Sequence, residues 1–332
     1  MARELRAIVL AVAALLCFSL AAQATVAADS PAANDAERKV NSGDYRGAIS
    51  TLQSAVSQNP SDAAAYYWMG RGFYELHDYD NAISALQKAV ALAPKNSDYH
   101  NWLGRAYGGK ADREHSFFVA KKVKGEFQAA IRLDPSNIAA RRDLEDYCIS
   151  APWIVGGSKD EALAQVEAIA AIDPVEGHVA RAIYYNEALK KPAQAAAEYH
   201  AVIESKSSSI EPYLQAANFF INQNEPANVL AAVNAATAVA ANDARLDFYR
   251  GVLGVLNGTD AASAERYLKS YVASTPDRSN WPTHALGRVW LGRLYESMGK
   301  PGGAAEQYRA ALQLDPGRKD ARDRLNKLEK AQ

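Results

Sequence analysis

Apolar residues recur along this chain at the spacing of helices that each bury one face. Between Ala64 and Pro94, Tyr66, Met69, Gly70 and Phe73 share a face, the run His77-Asp78-Tyr79-Asp80 interrupts it, and Ala82, Leu86 and Ala89 form a second face. Apolar positions at i, i+3, i+4 and i+7 predict amphipathic helices. The first face returns as Leu103, Gly104 and Tyr107 and the second as Phe127 and Ala130; near the end they return as Leu291, Gly292 and Tyr295, then Ala304, Tyr308 and Ala311. Prolines punctuate the pattern at Pro60, Pro94, Pro135, Pro174, Pro276 and Pro316. The first two are 34 residues apart, Pro174 and Pro276 three times that, and the remaining gaps exceed 34 only by small insertions. A second set, Pro192, Pro226 and Pro301, falls where each unit's second helix should begin. Proline suits a first helical position, because the N–H it lacks has no intrahelical partner there. The pattern predicts one all-α array of helix-turn-helix units.

These units resemble the tetratricopeptide repeat family, whose pattern runs W-x2-L-G-x2-Y, then A-x3-F, A and P within 34 residues. The matching residues are Gly70, Phe73, Ala82, Leu86, Ala89 and Pro94, and again Gly292, Tyr295, Ala304, Tyr308, Ala311 and Pro316. The resemblance covers about residues 32–330 and implies a right-handed superhelical solenoid. It implies eight repeats across 29–316, closing near 60, 94, 135, 174, 208, 242, 276 and 316, the first with a shortened leading helix. Residues 317–332 then read as a C-terminal capping helix with Leu325 and Leu328 facing inward, because the last repeat of a solenoid has no neighbour to cover it. The units between Pro174 and Pro276 depart from the pattern. Their closing proline is lost twice and the glycine is often replaced, while Ala195 with Tyr199, Val229 with Val233, and Ala264 with Leu268 keep the period.

The first 28 residues carry a different signal. Arg3 and Arg6 precede an uncharged run from Ala7 to Ala22, followed by Ala22-Gln23-Ala24 and Val26-Ala27-Ala28. This is the layout of a cleaved secretory signal peptide, with cleavage expected near residue 24 or 28 and a periplasmic or secreted product. Leu16 ahead of Cys17 is too large for a lipoprotein site, and no stable transmembrane segment is expected once the leader is removed. The mature chain keeps one cysteine, Cys148, which reads as core. Composition adds two exclusions. With 48% apolar residues, 23% charged and a net charge of −1, the chain is neither disordered nor a basic nucleic-acid binder.

Two insertions between helices stand out. Gly108–Phe118 is expected to lengthen the second helix of the third unit, with Lys121, Lys122 and Lys124 on a solvated face or against an anionic partner. In the fourth unit, Pro152-Trp153-Ile154-Val155-Gly156-Gly157 precedes the S-x-x-E capping box Ser158–Glu161, which marks the second helix's start. The large apolar residues of that loop either tuck against the neighbouring repeat or make Trp153 and Ile154 a partner-binding hot spot, where tryptophan is enriched.

Reactive chemistry is not evident. The six histidines form no H-E-x-x-H or close pair, so no metal site is expected. Gly299-Lys300-Pro301 lacks the rest of a phosphate loop, and Gly70-Arg71-Gly72 lacks the rest of a dinucleotide fingerprint. No catalytic residue and no cofactor are expected. What remains is a binding surface. In the resembled family the first helix of each unit lines the concave face, which implies a groove of Tyr67, Arg71, Tyr74, Asn101, Arg105 and Arg142. Arginine forms bidentate bonds to carboxylates, so the implied partner is a protein or peptide with an acidic or carboxylate-terminated segment. Local pairing between residues four apart, Arg71 with Glu75 and Arg142 with Asp146, is the competing account. Arg105 has no acid four residues on and is therefore the most informative of the three. The function implied is a non-catalytic scaffold or adaptor, with an accessory role in cell-envelope glycan or lipid handling as the alternative.

Overall fold

A computed structural model describes residues 30–274, 278 and 281–330. The expected leader, residues 275–277, 279 and 280, and the last two residues lie outside that range. The described residues form eight helix pairs and a final helix. The pairs are α1 Pro31–Ser42 with α2 Tyr45–Gln58, α3 Ala63–Glu75 with α4 Tyr79–Leu92, α5 Ser97–Glu114 with α6 Phe117–Leu133, and α7 Ile138–Ser150 with α8 Lys159–Ile172. They continue as α9 Pro174–Ile183 with α10 Pro192–Glu204, α11 Glu211–Asn222 with α12 Pro226–Val239, α13 Arg245–Asn257 with α14 Ala261–Ser274, and α15 His284–Ser297 with α16 Pro301–Leu314. The last helix is α17 Lys319–Lys330. Among the described residues no helix is long and apolar enough to cross a membrane.

Local chemistry sets the helix starts. The side chains of Asp44, Asp62, Asp78, Asn96, Asn137 and Ser158 each accept a backbone N–H of the first turn, satisfying a donor that the helix itself cannot. Pro192, Pro226 and Pro301 stand at the first positions of α10, α12 and α16, as their spacing predicted. Asp173 ends α8 and caps α9 through the N–H groups of Val175 and Glu176.

Four of the pairs close at a narrow crossing built on a glycine. A Cβ added at Gly104 would lie 2.5 Å from the Phe127 ring, and one at Gly292 would lie 2.4 Å from Tyr308. Gly251 meets Leu268 in the same way, so the seventh pair keeps a crossing glycine within the stretch where it is often replaced. The aromatic or aliphatic partner fills the gap beside the crossing, which explains why these rings are buried. Consecutive first helices touch one another along much of the array and make the inner, concave layer. The apolar side chains form four successive clusters rather than one central core, as expected where each unit packs mainly on its neighbours. The Arg278 guanidinium donates to the Asn41 carbonyl, so the superhelix brings the link before α15 back to the first pair.

The third pair differs from expectation. The insertion lengthens both helices, since α5 runs on to Glu114 before α6 starts at Phe117. His115 takes a left-handed conformation (φ 50°) and Ser116 caps α6, so the chain reverses there rather than continuing as loop. In the fourth pair, Trp153–Val155 is a single 3₁₀ turn. The fifth first helix ends in a π-helical turn, Tyr184–Ala188.

Candidate partner-binding surface

The inner face of α3, α5 and α7 carries the implied groove residues. Tyr67 stacks on Tyr99 at 4.7 Å between ring centres and meets Trp68 edge-on at 5.2 Å. The Arg71 guanidinium lies between two indoles, 4.4 Å from the Trp68 ring and 4.2 Å from that of Trp102. Trp102 also holds Arg105 at 4.8 Å and the edge of Tyr74 at 5.5 Å. Burial pushes the Tyr74 hydroxyl up to about 12, so it stays a neutral donor or acceptor. Trp68 and Trp102 are groove elements that sequence reading overlooked. Their signal was present: a W-x-x-R spacing recurs as Trp68–Arg71, Trp102–Arg105 and Trp290–Arg293. In the last of these the guanidinium sits 3.7 Å from the Trp290 ring. Side chains three apart on a helix are neighbours, and arginine over indole is favourable.

The arginines do not form an open cationic groove. Arg105 grips Asp143 with Nε at 2.5 Å and Nη2 at 3.2 Å. The arginine that lacks an acid on its own helix is therefore neutralised by a residue one repeat further on. Arg142 reaches Glu176 at 2.6 Å and Gln215 at 2.8 Å, rather than its helical neighbour Asp146. Asn101 is buried at 2% exposure with an unpartnered Oδ1, so it is not presented to a partner. Of the six residues, the structure brings Tyr67, Arg71, Tyr74 and Arg105 together around Trp102, while Arg142 works in a separate link toward α9 and α11. The case for an acidic partner loses two of its three cations.

A cavity of about 1100 Å³ opens beside this cluster, walled by Tyr74, Tyr79, Arg105, Asp112, Asp143, Asp146, Phe117, Tyr147 and Val155 among others. Asp112 and Asp146 make no hydrogen bond or ion pair among the described residues. Asp146 is solvent-exposed at the edge of the cavity, and partial desolvation by the neighbouring side chains, with Asp143 and Asp112 close by, holds its carboxyl above the ordinary range. Behind it, Glu145 is buried at 2% exposure and burial raises its carboxyl to about 8, against the pull of Arg142. Cys148 is buried too, its thiol pushed up to about 11 by burial, which makes it a packing residue rather than a nucleophile.

The connector after α7 splits the two readings of its apolar residues. Val155 tucks in at 6% exposure, whereas Trp153 and Ile154 stand out at 85% and 59%. The expectation that all three pack on the next repeat fails for the last two. The turn is clamped from below: the Tyr147 hydroxyl lies 2.8 Å from the Ala120 carbonyl and 2.7 Å from that of Val155, and Lys124 donates to the Gly156 carbonyl at 2.9 Å. Gly156 has φ 109°, and a Cβ at Gly157 would strike the Ala151 carbonyl at 1.8 Å. Only the two glycines permit this turn, and the turn points Trp153 outward.

A second cavity, of about 820 Å³, lies between α11, α13, α15 and α17, with Gln215, Asn218, Arg245, Trp290, Arg293 and Arg324 in its wall. Arg245 pairs with Glu211 and Asp243, and Arg324 with Glu296. Arg293 has no ion pair among the described residues; burial and then the nearby Arg324 make its charge less favourable.

The tetratricopeptide-repeat family models match residues 34–97 and 69–110, and again 287–318. A tetratricopeptide-repeat protein of Thermus thermophilus is 20% identical, with 58% of this chain and 100% of that one aligned at a TM-score of 0.48. One from Parabacteroides merdae is 16% identical, with 80% and 98% aligned at 0.48. The Cut9–Hcn1 hetero-tetramer of the APC/C gives a TM-score of 0.51 at 12% identity, over 89% of this chain and 54% of that one. This chain thus spans about half the length of the chain it matches there, and at such identity the likeness concerns the fold alone. No curated protein matches the sequence. Tetratricopeptide repeats are thus recognised at both ends of a continuous array of helix pairs.

Proposed function

We propose that this protein is a non-catalytic scaffold that works outside the cytoplasm and holds a segment of a protein partner along the concave face of α3, α5 and α7. The tetratricopeptide fold is one that supports protein–protein interaction. The observation that carries the reading to this face is the cavity of about 1100 Å³ beside Tyr74. Its wall combines aromatic and apolar faces with a few polar groups, the composition of a ligand-binding cleft. Export is supported by the leader-like sequence of residues 1–28.

A photoreactive phenylalanine analogue at Tyr74, irradiated in intact cells, tests the binding reading. A macromolecular adduct is expected. No adduct, together with turnover of a small molecule by the purified chain, would overturn both the scaffold and its non-catalytic character. Intact mass of the native product tests export: a first residue near Thr25 or Asp29 is expected, and a full-length, cytoplasmic product contradicts it.

A further inference from the structure

The four large apolar side chains most exposed in the array are Phe117 at 60%, Phe118 at 85%, Trp153 at 85% and Ile154 at 59%. They belong to two segments more than thirty residues apart in sequence, yet Tyr147 ties those segments together by bridging the carbonyls of Ala120 and Val155. Phe117, Ala120, Pro152 and Val155 all line the cavity beside Tyr74, so the two segments that carry Phe118, Trp153 and Ile154 border its mouth as a rim. Single exposed apolar residues are ordinary; several brought to one place mark an interaction surface. The rim is also pre-formed. The Gly156-Gly157 turn is braced by hydrogen bonds from Lys124 and Tyr147, which lowers the free energy a ligand loses in ordering it.

The cavity behind the rim sets the charge of the occupant. Arg105 is cancelled by Asp143, and Arg113 pairs with Asp80 at 3.3 Å. The carboxylates of Asp112 and Asp146 remain, beside the rings of Tyr74 and Phe117. An ammonium or guanidinium entering here meets carboxylates and aromatic faces together, both of which favour it. An acidic segment would meet two like charges and no open cation.

We propose that this rim and cavity dock a partner segment that combines large apolar side chains with a basic one, the apolar groups on Phe118 and Trp153 and the cation against Asp146. This rests on the reading that the concave face holds a partner segment, and it names the chemistry of that segment.

The test uses the full chain and two fluorescein-labelled peptides, one alternating leucine with lysine and the other leucine with glutamate, followed by anisotropy at pH 7.5. The lysine peptide is expected to bind and the glutamate peptide to bind at least about tenfold more weakly, since like charges at an interface are strongly penalised. Asp146→Asn should weaken the lysine peptide about fivefold to tenfold, and Trp153→Ala by a similar factor. Asp146 makes no bond that holds the fold, so the variant should melt no lower than the wild type. Equal binding of the two peptides, or an Asp146→Asn chain that binds the lysine peptide unchanged, would overturn the proposal. So would a dimer that Trp153→Asp dissociates, because the rim would then face a second copy. An adduct at Tyr74 whose trapped segment is acidic sinks this inference and leaves the scaffold standing. Absence of any adduct, with neither peptide bound, sinks both.

Discussion

The cavity over α3–α7 and the cavity over α11–α17 are built on the same local motif, in which a first-helix arginine lies on the tryptophan three residues before it. Their charge differs because of what the next unit contributes. Asp143, from α7, meets Arg105 and leaves the first cavity with two unpaired carboxylates. Arg293 has no ion pair among the described residues, and α17 instead brings Arg324, itself engaged with Glu296. A repeat position therefore fixes where a side chain points, and the neighbouring repeat decides whether its charge is available.

The largest effect should come from closing either crossing. Gly104→Val, whose Cβ would overlap the Phe127 ring, should cost about 3 kcal/mol in denaturant unfolding and distort the first cavity; Gly292→Val should do the same to the second. Smaller, and more telling for the comparison, is Asp143→Ala. It leaves Arg105 half-buried and unpaired, should cost about 2 kcal/mol, and gives the first cavity the open arginine that the second already has.

Glu145→Gln should act through pH. In the folded chain this carboxyl titrates near 8, well above its ordinary value of 4.5. Folding is therefore undisturbed by it below about pH 4.5, and stability drains away as pH climbs toward 8 and the buried group is forced to ionise. The variant should differ little from wild type at pH 5 and become progressively more stable than it as pH rises toward 8, read from paired denaturation curves. The smallest effect should be Arg293→Gln, which forfeits the contact with Trp290 but breaks no ion pair, for about 0.5 kcal/mol.

What could be read from the sequence was local. The proline at the start of α10, α12 and α16 and the Ser158 cap need only their own helix, and the period follows from the face each helix must bury. The arginine partners were out of reach because Asp143 and Glu176 lie one repeat away. The exposure of Trp153 was equally hidden, since it depends on Tyr147 and Lys124 clamping a turn from other helices. The lengthening of α5 was misassigned because no proline or glycine marks the break at His115; the cap at Ser116 does. The W-x-x-R spacing was legible and shows that these arginines serve packing as well as any ligand.

The inner layer as the binding face is best tested by placing the same photoreactive group at Tyr74 and, in a separate chain, at Leu163, an exposed residue of the second helix α8. The account predicts a partner adduct at Tyr74 and none at Leu163. An adduct at Leu163 with none at Tyr74 would place the partner away from the concave face and contradict it.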